Sequence, residues 1–138
     1  MPPTLAIDGE VTKNPSATDI ATKLEAIDKR DSGISLVTLT LDETHFLSAA
    51  GHPAEGFSLS FQDGDPSCEY FSYKFLPVLE IIRVFQDYAC GRDWGREKFT
   101  WDAMRTLDSK TQLKRLALIV GIVVLLYAAV RVVISRSN

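Results

Sequence analysis

The sequence predicts an α+β head, an antiparallel sheet of about four strands with two helices packed on one face, followed by one C-terminal transmembrane helix. Three observations predict it. Apolar and polar residues alternate with period two through the middle of the chain, apolar residues recur at helical spacing on either side of that stretch, and from Leu116 onward the chain is almost wholly apolar. Cleanly alternating strands joined by short polar turns form antiparallel meanders with one wet face. Flanking helices then cover the other face.

The elements follow in order. Ser16 stands three positions before Asp19 in a capping-box arrangement, and Ile20, Leu24 and Ile27 share one helical face, so a helix is expected over about 16–29 before the stop at Gly33. "ISLVTLTLD" sets Val37, Leu39 and Leu41 against Thr38 and Thr40. "GFSLSFQD" sets Phe57, Leu59 and Phe61 against serines and Gln62. "HFLSAAG" between them is a short strand, and after the turn "DGDPS" comes the aromatic strand "CEYFSYKF". Leu79, Ile82, Phe85 and Ala89 mark one face of a second helix ending at Gly91, a residue suited to a left-handed cap. Trp94, Phe99 and Trp101 then close the edge of the core, the alternative being that a tryptophan serves a binding surface. "DAMRTLDSKTQ" reads as a polar connection.

Leu116 to Val130 carries no polar group but the Tyr127 hydroxyl, and Arg131 alone interrupts the run to Ile134. A helix apolar on every face does not suit the outside of a small domain, whereas about twenty such residues span a bilayer. Arg131 lies near the end of the run, where its side chain can reach the headgroups. The chain therefore divides into a head at 1–107, a basic juxtamembrane connection at 108–115, a transmembrane helix at 116–135 and a far-side tail at 136–138. Lys114 and Arg115 flank the near end of the span, Arg131 and Arg136 the far end. With Arg105 and Lys110 added to the near side, the positive-inside rule places the head in the cytoplasm of a single-pass, tail-anchored protein.

Charge is divided between the two parts. All 18 acidic residues and 11 of the 15 basic ones lie in residues 1–110, which carry −7, while the last 28 residues carry +4. Direct nucleic-acid binding by so acidic a head is not expected, since phosphates require a basic face; a basic protein partner is. The start of the chain shows no basic-then-apolar secretory pattern, so Cys68 and Cys90 are expected as free thiols in a reducing compartment.

No motif for a phosphate loop, nucleophile elbow or HExxH zinc site is found, and no cofactor or metal is expected. His45 and His52 lack partners at metal-ligand spacing and read as strand-end residues. The carboxylate pairs Asp42/Glu43, Asp63/Asp65 and Asp87/Asp93 read as solvated turn acids, and no enzyme is expected. The best patch for a protein partner is Asp63, Asp65 and Glu69 with Tyr70 and Tyr73, carboxylates for steering and tyrosines for anchoring area. The competing reading is a solvated turn followed by a core strand.

Two segments together resemble small immunity proteins of bacterial polymorphic-toxin and type VI secretion systems. "NPSATDIATKLEAIDKRDSGISLVTLTLD" is similar to their opening helix and strand, through Asn14, Pro15, Ser16, Asp19, Leu24 and Asp28. "VFQDYACGRDWGREKFTWD" is similar to their closing pattern, through Tyr88, Gly91, Trp94, Phe99 and Trp101. The resemblance covers roughly 5–102. The sequence departs from it in the middle, where a glycine-rich stretch is reduced to "AAGHPAEG", and in its apolar tail. What the resemblance implies is a non-catalytic inhibitor used in bacterial competition, binding a cognate toxin at the inner (cytoplasmic) membrane. A toxin with a basic, nucleic-acid-targeting cleft is the electrostatic match. A membrane-tethered adaptor or scaffold unrelated to toxins is the alternative.

Overall fold

Asp8 and Gly9 both take positive φ, 49° and 90°, as a two-residue type I′ hairpin turn requires. The turn joins β1 (Thr4–Ile7) to β2 (Glu10–Lys13), which pair antiparallel. Neither strand is among the four expected from sequence. The computed structural model describes residues 1–29, 33–105 and 109–136, and the chain divides into two compact units, Met1–Arg105 and Thr106–Asn138.

Helix α1 (Ala17–Asp28) starts where the capping box places it. The Ser16 hydroxyl accepts the Asp19 N–H at 3.0 Å and the Asp19 carboxylate accepts the Ser16 N–H at 2.9 Å. The Ser16 backbone N–H first and its hydroxyl second hold the Asp19 carboxyl below its ordinary range. Ser16→Ala should lower head stability by about 1 kcal/mol, read as a lower urea midpoint at unchanged slope. A midpoint unmoved by the substitution would show the cap to be dispensable.

The middle of the chain forms β3 (Ser35–Asp42), β4 (His45–His52), β5 (Gly56–Asp63) and β6 (Cys68–Phe71). They fall where the four strands are expected, except that β6 stops at Phe71 while the expected aromatic strand runs on to Phe75. The sheet nevertheless has seven, all antiparallel to their neighbours, in the order β2-β1-β3-β4-β5-β6-β7. The seventh, β7 (Asp102–Arg105), takes the first four residues of the expected polar connection. All four of its residues are exposed, and Asp102 and Arg105 suit an edge strand, whose charges discourage pairing with another chain.

Leu5, Ile7, Val37, Leu39, Leu47, Ala49, Phe57, Leu59 and Phe61 from the strands form one core cluster with Ile20, Leu24 and Ile27 of α1. Ile81, Ile82, Val84 and Phe85 of α2 (Val78–Ala89) complete it, so both helices cover the same face of the sheet. The Gln86 side chain donates to the Ala17 carbonyl at 2.9 Å, tying α2 to the start of α1. Leu79, expected inward, is 75 % exposed. The buried stripe of α2 runs through Ile81, Ile82 and Phe85, and Leu79 falls beside it. Gly91 takes φ 68° just past the helix, as expected.

The segment after α2 folds back as an aromatic seal. Phe61 is stacked on Tyr70 at 4.9 Å and meets Trp94 and Trp101 edge-on at 5.5 and 4.7 Å. The Trp101 indole N–H donates to the Arg96 carbonyl at 2.8 Å, so the polar end of a large apolar ring is satisfied. Both tryptophans pack against the core.

In the second unit, α3 runs from Ser109 to Arg136. Lys114–Arg136 is long and apolar enough to cross a membrane, with mean hydropathy 2.7, and none of its residues is buried. Twenty-three residues measure about 35 Å along a helix. Of the expected connection, Asp108 lies outside the described residues and Ser109 to Arg115 already belong to α3. Arg136 is its last residue, and the tail at 137–138 lies outside the described residues.

Candidate protein-binding surface

The head has two sheet faces with different fates. Helices and aromatic rings cover one. Neither α1 nor α2 lies on the other, and its central row runs Ala6, Thr38, Ser48, Ser60, Phe71 across neighbouring strands. Hydroxyls dominate this face, with Thr38 and Ser48 hydrogen-bonded to each other at 2.7 Å. Among them sit Leu36, Phe46 and Phe71, apolar side chains at positions of the polar parity. With Ala50 and Glu69 these residues line a shallow bowl of about 350 Å³.

The five residues expected to form a partner patch are divided by the fold. Asp63 ends β5, where its carboxylate accepts from Arg96 at 2.9 Å and lies 3.5 Å from His45 Nε2. The Arg96 guanidinium in turn sits 4.3 Å over the Phe61 ring. Asp65 accepts from the Ser67 hydroxyl at 2.7 Å and its N–H at 2.9 Å. Those bonds hold its carboxyl below the ordinary range and tie it to the β5–β6 turn. Tyr70 points inward onto Phe61. Glu69, its neighbour on β6, lies on the face opposite α1 and α2. Tyr73 is 75 % exposed in the β6–α2 link, which also presents Phe75. Thus Glu69 faces a side of the sheet that Tyr70 does not, and Asp63 and Asp65 are engaged within the chain.

The other titratable groups serve the frame. Asp42 accepts the Thr44 N–H at 2.8 Å and lies 2.9 Å from His45 Nδ1. The amide bond first and the histidine second keep its carboxyl down at about 2. Burial, then the charges of Asp63 and Asp42, push the Tyr88 hydroxyl up to about 12. His45 opens β4 and His52 ends it, and His52 Nδ1 accepts the Ala54 N–H at 3.1 Å. Among the described residues no three His, Cys, Asp or Glu side chains are placed to hold a metal ion. Cys68 is buried and Cys90 exposed, both as free thiols.

The chain matches none of the known protein families, characterised proteins or solved structures with which it was compared. The geometry therefore carries the functional argument. It offers a shallow, mildly apolar bowl with one carboxylate in its lining, an exposed aromatic link at Tyr73 and Phe75, and a helix suited to lipid. Sequence reasoning missed the sheet face. Its signal was present in Leu36, Phe46 and Phe71, the apolar exceptions to the alternation, since each stands where the pattern calls for a polar residue.

Proposed function

We propose that this chain is a membrane-anchored, non-catalytic binding protein, an immunity protein whose head neutralises a cognate bacterial toxin domain at the inner face of the membrane. The observation that carries the reading is the pairing of an acidic head, −7 over residues 1–110, with a span-length apolar helix. A negative surface speeds encounter with a basic cleft and disfavours like-charged partners. Tethering confines the inhibitor to one surface and raises its effective concentration there. Lys114 and Arg115 at one end, against Arg131 and Arg136 at the other, favour a cytoplasmic head when Arg105 and Lys110 are counted on the near side. The resemblance to immunity proteins supplies the toxin. A membrane-tethered adaptor for some other basic protein uses the same features and is the second reading.

Co-expression separates the two. The full chain should relieve growth arrest caused by a toxin encoded beside its own gene, and a chain ending at residue 110 should bind that toxin yet protect less well. No relief of any neighbouring gene's toxicity would sink the immunity reading and leave the adaptor. A truncated chain that cannot bind would make α3 part of the interface.

A further inference from the structure

Strands β5 and β6 together place a carboxylate beside aromatic rings on each face of the sheet, Asp63 with Phe61 and Tyr70 on one and Glu69 with Phe71 on the other, and the chain completes only the first set itself. On the helix side, Tyr70 and Phe61 receive the Arg96 guanidinium, which lies 4.3 Å over Phe61 and bonds Asp63 at 2.9 Å. Strand alternation puts Glu69 and Phe71 on the opposite face. There they line the bowl with Phe46 and the hydroxyls of Thr38, Ser48 and Ser60. Glu69 is the bowl's one ionisable residue. Among the described residues no ion pair or hydrogen bond engages its side chain. Arg105, on the neighbouring strand, is cross-strand to Cys68, which is buried on the helix side.

We infer that this bowl receives an arginine side chain of a protein partner, the guanidinium pairing with Glu69 beside Phe46 and Phe71. The choice of ligand follows from the lining. A carboxylate calls for a cation, and a planar, weakly hydrated guanidinium can donate two parallel bonds to a carboxylate while lying against an aromatic ring. Cation and ring attract most when partly desolvated, and the bowl's apolar walls provide that. The Ser60 hydroxyl, on the strand beside Glu69, offers an acceptor for a remaining N–H group, which an acceptor-free aliphatic groove could not do. The inference deepens the proposed function by naming what the acidic head reads on its partner, and it rests on that reading for the partner's being a toxin.

The test needs no toxin. Full-length protein in lipid nanodiscs, with phenylalanine and serine labelled for NMR, is titrated with N-acetyl-arginine methylamide and with its uncharged citrulline counterpart. Saturable shifts are expected at Phe46, Phe71, Ser48 and Ser60 with arginine and not with citrulline. Glu69→Gln should weaken the arginine response about tenfold, as loss of a charged hydrogen-bonding partner does, and Phe71→Leu should weaken it less. Unchanged tryptophan fluorescence confirms that both variants are folded. Equal responses to arginine and citrulline, shifts confined to other residues, or an undiminished response in Glu69→Gln would each overturn the site while leaving the toxin reading standing. A specific arginine response in a chain that rescues no toxicity would sink the toxin reading and keep the site.

Discussion

Replacing Phe85 with alanine should cost the head about 3–5 kcal/mol, the range for truncating a buried aromatic in a packed core, while Leu79→Ala on the same helix should change stability by less than about 0.5 kcal/mol. Phe85 is fully buried where α2 meets the sheet, and its loss leaves a cavity that the surrounding Ile and Leu side chains fill only in part. Leu79 is 75 % exposed, so its removal returns little surface to water. Domains of this size are stable by about 5–15 kcal/mol, so Phe85→Ala should consume a large part of the total. Both tryptophans lie in the head and pack against its core. Their fluorescence during urea unfolding of the full chain in detergent therefore reports the head alone. Similar losses for the two variants would mean that α2 is rotated relative to the structure, with Leu79 inward as its spacing first indicates.

That pair of residues also shows how far the sequence reaches. Period-two alternation located β3 and β5, because one face of each is buried against helices and the pattern records it, and β4 was placed by its position between them. The capping box located the start of α1 to the residue, since Ser16 and Asp19 satisfy each other locally. Helical spacing located α2 but not its rotation, because Leu79 and Ile82 lie within one broad stripe and only the sheet decides which edge of it is buried. The first hairpin was written in Asp8-Gly9, a strong turn signal, yet β1 and β2 have only four residues each, too few for alternation to stand out. β7 was illegible for a different reason. All four of its residues are exposed, so nothing in its apolar pattern distinguishes it from a linker, and only pairing with β6 makes it a strand.

The candidate site divides in the same way. Glu69 was legible as a carboxylate beside tyrosines. Which face it serves was not, because one position along a strand reverses the face. Asp63 and Asp65 looked equivalent to it in sequence, but Arg96 and Ser67 engage them from 33 and 2 residues away. Reversing all three charges would therefore disturb the β5–β6 turn and the Arg96 contact as well as the proposed partner surface. Glu69 is the position at which binding and folding can be separated.

Membrane attachment should fail when two arginines replace Ile122 and Leu126, one helical turn apart near the middle of Lys114–Arg136. Thirteen Leu, Ile and Val residues between Leu116 and Ile134 favour insertion by about 0.3–0.6 kcal/mol each when central, so the helix as a whole has several kcal/mol in hand. One central arginine opposes this by about 2.5–3.5 kcal/mol, which leaves insertion weakened but standing. Two, with two apolar residues removed, exceed the margin. Arg131 does not carry this cost because it lies five residues from the helix end, where a long side chain reaches the headgroups. Carbonate extraction of cell membranes should therefore leave the natural chain in the pellet, release part of Leu126→Arg, and release nearly all of the double variant. Arg131→Leu should remain in the pellet. If the double variant stays carbonate-resistant and floats with lipid, α3 does not hold the protein across the bilayer, and the tether on which a local concentration effect depends must lie elsewhere.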